Sequence, residues 1–362
     1  MENLIDDLQR QLNELKEVRK PHEQTWDEII ESMYPFRWVS WDRRSQRGRR
    51  KANSIYNTYP LQMLNIMADG IQGHMVSDSF RWMQSYMSKA QNDPQINKWL
   101  QDVDDQFYFE FQRSNFYEAI NEYIQDAGSI GTAHIYAQDS MDGNKISFRV
   151  LNPYDVWISE NFDGMVDTHF REFYLTIREI YEKFGNYCPE IEQFVNNKRW
   201  EKEIKFIHAV YPRFMNGTAP DERPFASVYI DVDHKKVVRE SGYYVNPFAT
   251  WRWKKVPHEY YGRSPAWEEL RSIKTLNEMS KTLIRAAQKH SDPPMWVPAE
   301  MKNQFDNRAG ALNYYQDPQR VPMENVSRSN YPIGEEREQM VMARIREAFK
   351  VDFFLMLQQA ER

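Results

Sequence analysis

The sequence predicts an α+β fold in which a helical region is followed by antiparallel strands and then by a long helical hairpin. Three observations predict this fold. Helical periodicity dominates residues 1–130, whereas short segments rich in β-branched and aromatic residues, separated by turn signals, dominate residues 131–263. From residue 264 onward the helical period returns in two long amphipathic segments that flank a compact insert.

The N-terminal segment predicts two helices. Apolar residues at alternating three- and four-residue steps indicate an amphipathic helix over residues 3–20: Ile5, Leu8, Leu12 and Leu15. Pro21 is expected to end this helix, because proline removes a backbone donor and clashes with the preceding turn. A second helix is then predicted from His22 to Met33.

Two more helices, over residues 55–77 and 93–126, complete the helical region. The middle region predicts mostly antiparallel strands, interrupted by a helix over residues 176–185. The predicted strands are 133–138, 146–151, 154–159, 167–174, 204–213, 225–232, 235–245 and 247–253.

The last region predicts two rods. Ser264 can cap a helix whose first position is Pro265, and this helix is expected to continue to His290 before an Asp-Pro-Pro stop. A second helix is predicted from just after Gly334 towards Arg362. Each rod has about 26 residues and would span roughly 39 Å. The insert between them contains two candidate strands.

The first rod separates into an apolar side and a basic side on a helical wheel. The basic side comprises Arg271, Lys274, Lys281, Arg285 and Lys289. A solvated face explains such a stripe as well as a face that meets DNA phosphates or acids of a neighbouring subunit. On the second rod, Asp352 lies close to the apolar arc and requires a cationic partner, since an unpaired buried charge is costly.

Composition limits the function. The chain has 362 residues, a formal net charge of -6 and one cysteine, Cys188. A protein that holds DNA tightly without sequence preference is usually basic, and this one is not. No signal peptide, membrane span, phosphate loop or zinc-binding motif is present in the sequence. We therefore expect no catalytic residue, no metal site and no cofactor, and we expect a protein made in a reducing cytosol.

Two clusters invite a functional interpretation. Asp102, Asp104 and Asp105 are acids that could hold a nuclease metal ion, but their helical spacing favours a solvated face. The run from Arg37 to Lys51 has the composition of a nucleic-acid contact. An exposed loop, or a contact with an acidic partner, is favoured for it. Its predicted basic wing loop comprises Arg43, Arg44, Arg47, Arg49, Arg50 and Lys51.

Four segments, in this order, resemble the head-to-tail connecting (portal) proteins of short-tailed bacteriophages. They are LNIMADGIQGHMVSDSFRW (64–82), SNFY with the following GTA (114–133), LNPYDVWISENFDGMVDTHFREFYLT (151–176), and YGRSPAWEELRSIKTLNEMSKTLIRAAQKHSDPPMWVP (261–298). The resemblance extends from about Trp26 to the end of the chain. It implies a non-enzymatic ring subunit, with a helical and antiparallel-β wing, a two-helix stem and a small α/β clip.

The resemblance assigns residues 1–263 to the wing, 264–290 and 334–362 to the stem helices, and 291–333 to the clip. It implies a ring, typically of twelve copies, at the portal vertex of a virion assembled in the bacterial cytoplasm. The implied partners are capsid and scaffolding proteins, the terminase, tail adaptor proteins and the double-stranded DNA in the channel, with no membrane. Members usually continue into a tunnel loop and crown, so a fragment of a longer product is expected.

Within this resemblance, the basic side of the first rod is expected to line the channel or to brace adjacent stems. Asp352 and Arg344 are expected to pair between subunits. Three clip aromatics are candidate contacts for partners, although a small core of the clip itself is the favoured explanation: Trp296, Tyr314 and Tyr315. Two other functions compete with the ring subunit. They are a nuclease that uses the acid cluster and a monomeric DNA-binding or adaptor protein that uses the basic wing loop.

Overall fold

A computed structural model describes residues 2–37, 55–87, 93–140, 143–215, 223–291 and 331–360. Its helices are α1 (Glu2–Met33), α2 (Tyr59–Met75), α3 (Pro94–Arg113), α4 (Phe116–Ser129), α5 (Ile177–Phe184), α6 (Pro189–Asn196), α7 (Pro265–Glu268), α8 (Leu270–Ser291), α9 (Tyr331–Ala348) and α10 (Val351–Ala360). Its strands are β1 (Thr132–Asp139), β2 (Ile146–Leu151), β3 (Val156–Glu160), β4 (Val166–Thr176), β5 (Glu203–Pro212), β6 (Phe225–Asp231), β7 (Lys236–Tyr243) and β8 (Phe248–Arg252). The α+β prediction is confirmed.

The N-terminal helix is continuous through Pro21, so the predicted break there is wrong. The buried and partly buried positions of α1 keep their alternating three- and four-residue spacing across the proline. Arg19, just before it, and His22, just after it, are two of these positions. Proline costs only one hydrogen bond at this exposed position. The packing of Trp26 after it and Leu12 before it holds both halves in one helix, because each side chain is at most 2% exposed.

The predicted helix over residues 93–126 is also wrong, because it is two helices that meet at Ser114 and Asn115. Ser114 takes an extended conformation, and its hydroxyl accepts a hydrogen bond from the amide of Phe116. The side-chain amide of Asn115 exchanges two hydrogen bonds with the backbone of Phe148 on β2, at 2.7 and 2.9 Å. These bonds compete with the helix and end it.

The strands form two antiparallel sheets that lie face to face. Sheet A has the order β2-β1-β8 and sheet B has the order β3-β4-β5-β6-β7. Thr250 of sheet A joins them, because its hydroxyl lies 2.9 Å from Nδ1 of His134 and 2.8 Å from Nε2 of His169 on sheet B. All eight predicted strands are present, whereas the short helix α6 was not predicted.

Helix α1 joins three apolar clusters. Ile5, Leu8 and Leu12 pack on sheet B, Trp26 and Ile30 pack in the cluster between the sheets, and Ile29 and Met33 enter the helical core. The guanidinium of Arg19, at the middle of α1, donates hydrogen bonds to three backbone carbonyls of sheet B's first turn. The acceptors are Pro153 at 3.0 Å, Tyr154 at 2.8 Å and Val156 at 2.8 Å.

Helices α8 and α9 form an antiparallel hairpin. Glu269 pairs with Arg344, Ser280 donates to Glu338, and Leu283 lies against Gly334. The residue numbers rise on one helix as they fall on the other, which fixes the antiparallel direction. Helix α9 begins at Tyr331 rather than after Gly334. A Cβ at Gly334 would lie 2.8 Å from Leu283, so the glycine permits close helix contact instead of starting the helix.

The base of this hairpin is buried and its far half is not. Ile273, Leu276, Ile345 and Phe349 are at most 1% exposed in the helical core. No residue of 281–288 or 334–344 is buried, among those whose side chains the structure describes. The hairpin therefore extends beyond the core of its own chain.

The predicted second rod is broken near its middle, so the expected match in length between the two rods is wrong. Helix α9 ends at Ala348, Lys350 takes a left-handed φ of 55°, and α10 then packs on α2. Phe354 of α10 lies so close to Gly70 of α2 that a Cβ there would be 2.5 Å from its ring. Burial of Phe349 and Phe354 in the core outweighs the helical propensity of a straight rod. None of the helices in the described ranges is long and apolar enough to cross a membrane.

The Arg19 contact predicts a large mutational effect. We expect Arg19→Met to lower the free energy of unfolding by about 3–5 kcal/mol, because three buried carbonyls and Glu23 lose their partner. Urea denaturation of the purified chain measures this. Arg10→Met is the matched control on the same helix, since Arg10 is exposed and pairs only with Asp7. Equal effects of the two substitutions would contradict the assignment.

The buried histidines predict acid sensitivity. Burial is the main cause that lowers the pKa of His134 and His208 well below 6.5 and that of His169 to about 3. The unfolded state therefore binds more protons than the folded state below about pH 6.5. The contribution of these histidines to stability is fully present above that pH and is lost as the pH falls below it. Each histidine contributes roughly 1.4 kcal/mol per pH unit to this slope.

We expect His169→Gln to reduce the slope of unfolding free energy between pH 6 and pH 5 by about that amount. Denaturation at several pH values measures the slope. His258→Asn is the control, since this side chain is exposed and should leave the slope unchanged. An identical slope in His169→Gln and the parent chain would show that this residue does not titrate on unfolding.

Candidate functional site

The exposed face of α8 is the candidate site. Opposite it, Ile273 and Leu276 are buried in the helical core, which turns the basic residues outward. Four of the five predicted cations have described side chains on this outward face: Arg271, Lys274, Lys281 and Arg285. Lys289 belongs to α8, but its side chain lies outside the described residues.

Two of these cations have partners in their own chain. Nζ of Lys274 lies 2.7 Å from Oε2 of Glu28 on α1. Nζ of Lys281 lies 3.0 Å from Oε1 of Glu278 and 5.6 Å from the ring centroid of Tyr56. Such exposed pairs contribute little to stability, so both cations can be recruited by another partner.

The other two cations have no such partner among the described residues. Neither Arg271 nor Arg285 forms an ion pair with any residue in the described ranges. On the second helix of the hairpin, Glu335 and Glu336 are exposed at the start of α9. The start of α9 thus presents two exposed carboxylates, whereas the rest of the helix is mixed in charge and includes exposed Arg337 and Arg344.

The predicted inter-subunit residues also have partners in the same chain. Asp352 is exposed, rather than close to the buried arc, and its carboxylate accepts a hydrogen bond from Nε of Arg346 at 2.7 Å. Nε of Arg344 lies 3.0 Å from Oε2 of Glu269. Pairing of Asp352 and Arg344 between subunits stays a prediction.

An apolar groove runs along the hairpin. Met279, Leu283 and Gly334 line it, together with the aliphatic parts of neighbouring polar side chains. Ile284 and Met340 are 43% and 62% exposed on the same hairpin. Exposed apolar side chains of this kind mark surfaces that other protein surfaces can cover.

A second exposed apolar surface lies at one edge of sheet B. The pairs Glu160–Val166, Pro212–Phe225 and Phe225–Tyr243 place three connections side by side there. These connections are the β3–β4 turn, the β5–β6 connection and the β7–β8 connection. They carry large hydrophobic side chains that are 65% to 105% exposed: Phe162, Met165, Phe214, Tyr244 and Val245. This surface, the sheet B edge, was not predicted, although Phe162 within the turn Asn161–Gly164 was a visible signal.

The acid cluster is only partly the solvated face that the spacing predicted, because Asp102 and Asp105 are exposed whereas Asp104 is buried. Asp104 is 4% exposed, and its carboxylate accepts hydrogen bonds from the amide and hydroxyl of Ser85, at 2.8 and 2.5 Å. Asp105 pairs with Arg81 at 2.5 Å. Within the described part of the chain, no group of three or more potential ligands could hold a metal ion.

Several predicted residues lie outside the described residues. They are the clip aromatics Trp296, Tyr314 and Tyr315 and the basic wing loop residues Arg43, Arg44, Arg47, Arg49, Arg50 and Lys51. Arg37, the first cation of that run, is described and belongs to the fold. Its guanidinium pairs with Asp126, at 2.5 and 2.7 Å, and with Glu122. Arg37 is therefore not part of an exposed basic loop.

Comparison with known proteins agrees with the resemblance. The family model described as bacteriophage head to tail connecting protein matches residues 6–362. The chain is 26% identical over 360 residues to a probable portal protein of Bordetella phage BPP-1, covering 95% of this chain and 64% of that protein. It is 25% identical over 316 residues to a portal protein of Salmonella phage epsilon15, covering 82% of this chain and 55% of that protein. The chain thus spans less than two thirds of the length of these relatives.

Proposed function

The chain belongs to the bacteriophage head to tail connecting proteins, and on that premise we propose that it is the subunit of a portal ring. Such a ring would join the phage head to the tail, and its central channel would pass double-stranded DNA during packaging and ejection. The projecting α8–α9 hairpin carries this proposal, because a rod anchored only at its base can stand beside copies of itself.

We propose the following parts for the subunit. Residues 1–263 form the wing, 264–290 and 334–362 contribute the stem, and 291–333 form the clip. The buried base of the hairpin supports a stem that is fixed to the wing, and the unburied far half supports contacts outside the chain. The ring would have about twelve copies, at the portal vertex of a virion assembled in the host cytoplasm. It would have no catalytic role of its own.

The charges of the hairpin support side-by-side assembly. A closed ring needs a heterologous interface, in which one face of a subunit meets a different face of the next. The far part of the basic face of α8 and the acidic start of α9 are such a complementary pair, since Arg285 forms no ion pair among the described residues and Glu335 and Glu336 are exposed. We therefore propose that the basic face braces adjacent stems, with channel lining as the competing role for the same residues.

The sheet B edge supports contacts of the wing. Capsid and scaffolding proteins would meet the wing, and the terminase and tail adaptor proteins would meet the clip. Single exposed hydrophobic residues are common on protein surfaces, but five large ones on adjacent connections form a patch of the kind that marks an interaction site. We propose that this edge is the wing's contact with capsid or scaffolding protein.

Charge reversal on the hairpin tests the bracing role. We expect Lys281→Glu with Arg285→Glu to abolish ring formation of the purified protein, measured by mass photometry, because the reversed face repels the acidic start of the neighbouring α9. Reversal of Arg10 and Arg178, exposed cations elsewhere, is the control. Intact rings that package DNA poorly would favour channel lining instead. A parent chain that stays monomeric under all assembly conditions would argue against the portal ring.

Substitution at the sheet B edge tests the wing contact. We expect Phe162→Ser with Phe214→Ser to leave the melting temperature within about 2 °C, since these side chains are 105% and 85% exposed. The same variant should form rings but enter assembled heads less often, measured by the portal content of purified procapsids. Val18→Ser, an exposed apolar residue of α1, is the control. Normal incorporation of the double variant would exclude this edge as the contact.

A further inference from the structure

A row of polar side chains crosses four strands of sheet B. Arg171 on β4 is directly opposite His208 on β5, His208 is opposite Tyr229 on β6, and Tyr229 is opposite Arg239 on β7. Residues directly opposite on adjacent strands share one face of the sheet. The imidazole of His208 stacks on the ring of Tyr229, with centroids 3.9 Å apart and planes at 6°. The row therefore has aromatic rings at its centre and a cation at each end.

Two further elements bring cations to this row. Helix α5 places Nζ of Lys183 at 3.2 Å from the hydroxyl of Tyr229 and 4.7 Å from its ring centroid. Strand β2 of sheet A carries Arg149 opposite Tyr136, whose ring lies 5.7 Å from that of His208. The row thus lies where sheet A, sheet B and α5 meet, and it gathers cations from all three.

The four cations differ in depth. Arg171 is 9% exposed, and its Nε is buried without a hydrogen-bond partner among the described residues. The side chains of Arg149, Lys183 and Arg239 are exposed. Arg171 is thus the buried member of this group, and the other three are its exposed members. We call these four residues the cation row.

The members of the cation row form no ion pairs among the described residues. No carboxylate in the described ranges forms an ion pair with any of its four members. Glu182, next to Lys183 in the chain, pairs with Arg178 instead, at 3.0 Å. The acid that acts on Arg171 is Asp155, whose charge raises the pKa of this arginine.

The electrostatic consequences agree with this excess of charge. Although part of Lys183 is exposed to solvent, its ammonium is partly desolvated against the ring of Tyr229. This desolvation, followed by the charges of the other three cations, lowers the pKa of Lys183 to about 8. Burial, followed by the charge of Arg149, lowers the pKa of Arg171 to about 10 despite Asp155. A chain with a formal net charge of -6 thus keeps four cations together at a cost that a bound anion would remove.

We propose that the cation row is an oxyanion-binding site whose ligand is a phosphate group. The three guanidinium groups can each donate a pair of hydrogen bonds to an oxyanion. The ammonium group of Lys183 adds a compact positive charge. The positive charge of four cations is better neutralised by a doubly charged phosphate than by a singly charged carboxylate. The phosphate can come from solution or from the backbone of DNA, since the two share this chemistry.

Inorganic phosphate is the first probe. We expect it to raise the melting temperature of the full chain by several degrees in a saturable manner, relative to sodium chloride at the same ionic strength. Isothermal titration calorimetry should show affinity at least tenfold weaker in Lys183→Met or Arg239→Gln, and no binding in the double variant. Both side chains are exposed, so circular dichroism should show that the variants fold. Arg178→Gln, on the same helix but paired with Glu182, is the matched control and should bind like the parent.

Two further arms identify the ligand. Sulfate should compete with phosphate and acetate should not, and equal binding of acetate would overturn the phosphate assignment. A labelled DNA duplex would assign the site to backbone phosphates if it binds the parent, is displaced by inorganic phosphate and does not bind the double variant. Phosphate binding without such DNA binding would assign it to free phosphate. A phosphate effect of equal size in the parent and the double variant would overturn the proposal.

Discussion

The hydrogen bonds of Arg19 to the turn before β3 are the constraint on which the rest of the architecture depends. Helix α1 spans about 48 Å and contributes to three separate apolar clusters, so its angle to sheet B fixes where the helical core lies. The guanidinium sets this angle because three carbonyls receive it at 2.8 to 3.0 Å. Its position over the ring of Trp157, 4.1 Å from the centroid, excludes water from these bonds.

The same helix connects the sheets to the hairpin. Ile29 and Met33 pack in the core that holds the base of α8, and Glu28 pairs with Lys274 on that helix. A force applied along the hairpin would therefore reach sheet B through α1, rather than through a flexible connection. In the proposed ring subunit, this rigidity would keep the hairpin aligned with the sheets.

The sequence predicted local features well and failed where packing overrides them. The strands follow from alternating side chains and turn residues, which are local signals, and all eight were found. The errors at Pro21, Ser114 and Lys350 share one cause. A local helix-breaking signal at Pro21, and a local helix signal at Ser114 and Lys350, were outweighed by burial or hydrogen bonding to residues far away in the chain, as with Asn115 and Phe148. The basic face of α8 was visible because helical periodicity reveals it, whereas the cation row depends on strand register, which the sequence does not specify.

Two buried arginines show why register matters for function. Arg37 and Arg171 both carry a guanidinium into the protein, but Arg37 meets the fully buried carboxylate of Asp126. Burial raises the pKa of Asp126 to about 6 and the charge of Arg37 opposes this, so each group offsets the cost of burying the other. Arg171 instead belongs to a row with Arg149, Lys183 and Arg239, and its Nε has no partner among the described residues. The charge of Asp155 favours its guanidinium, but Asp155 forms no ion pair with it among the described residues. A fold that pairs one buried arginine with a carboxylate and groups another with further cations has built a structural contact in the first place and a site for an external anion in the second.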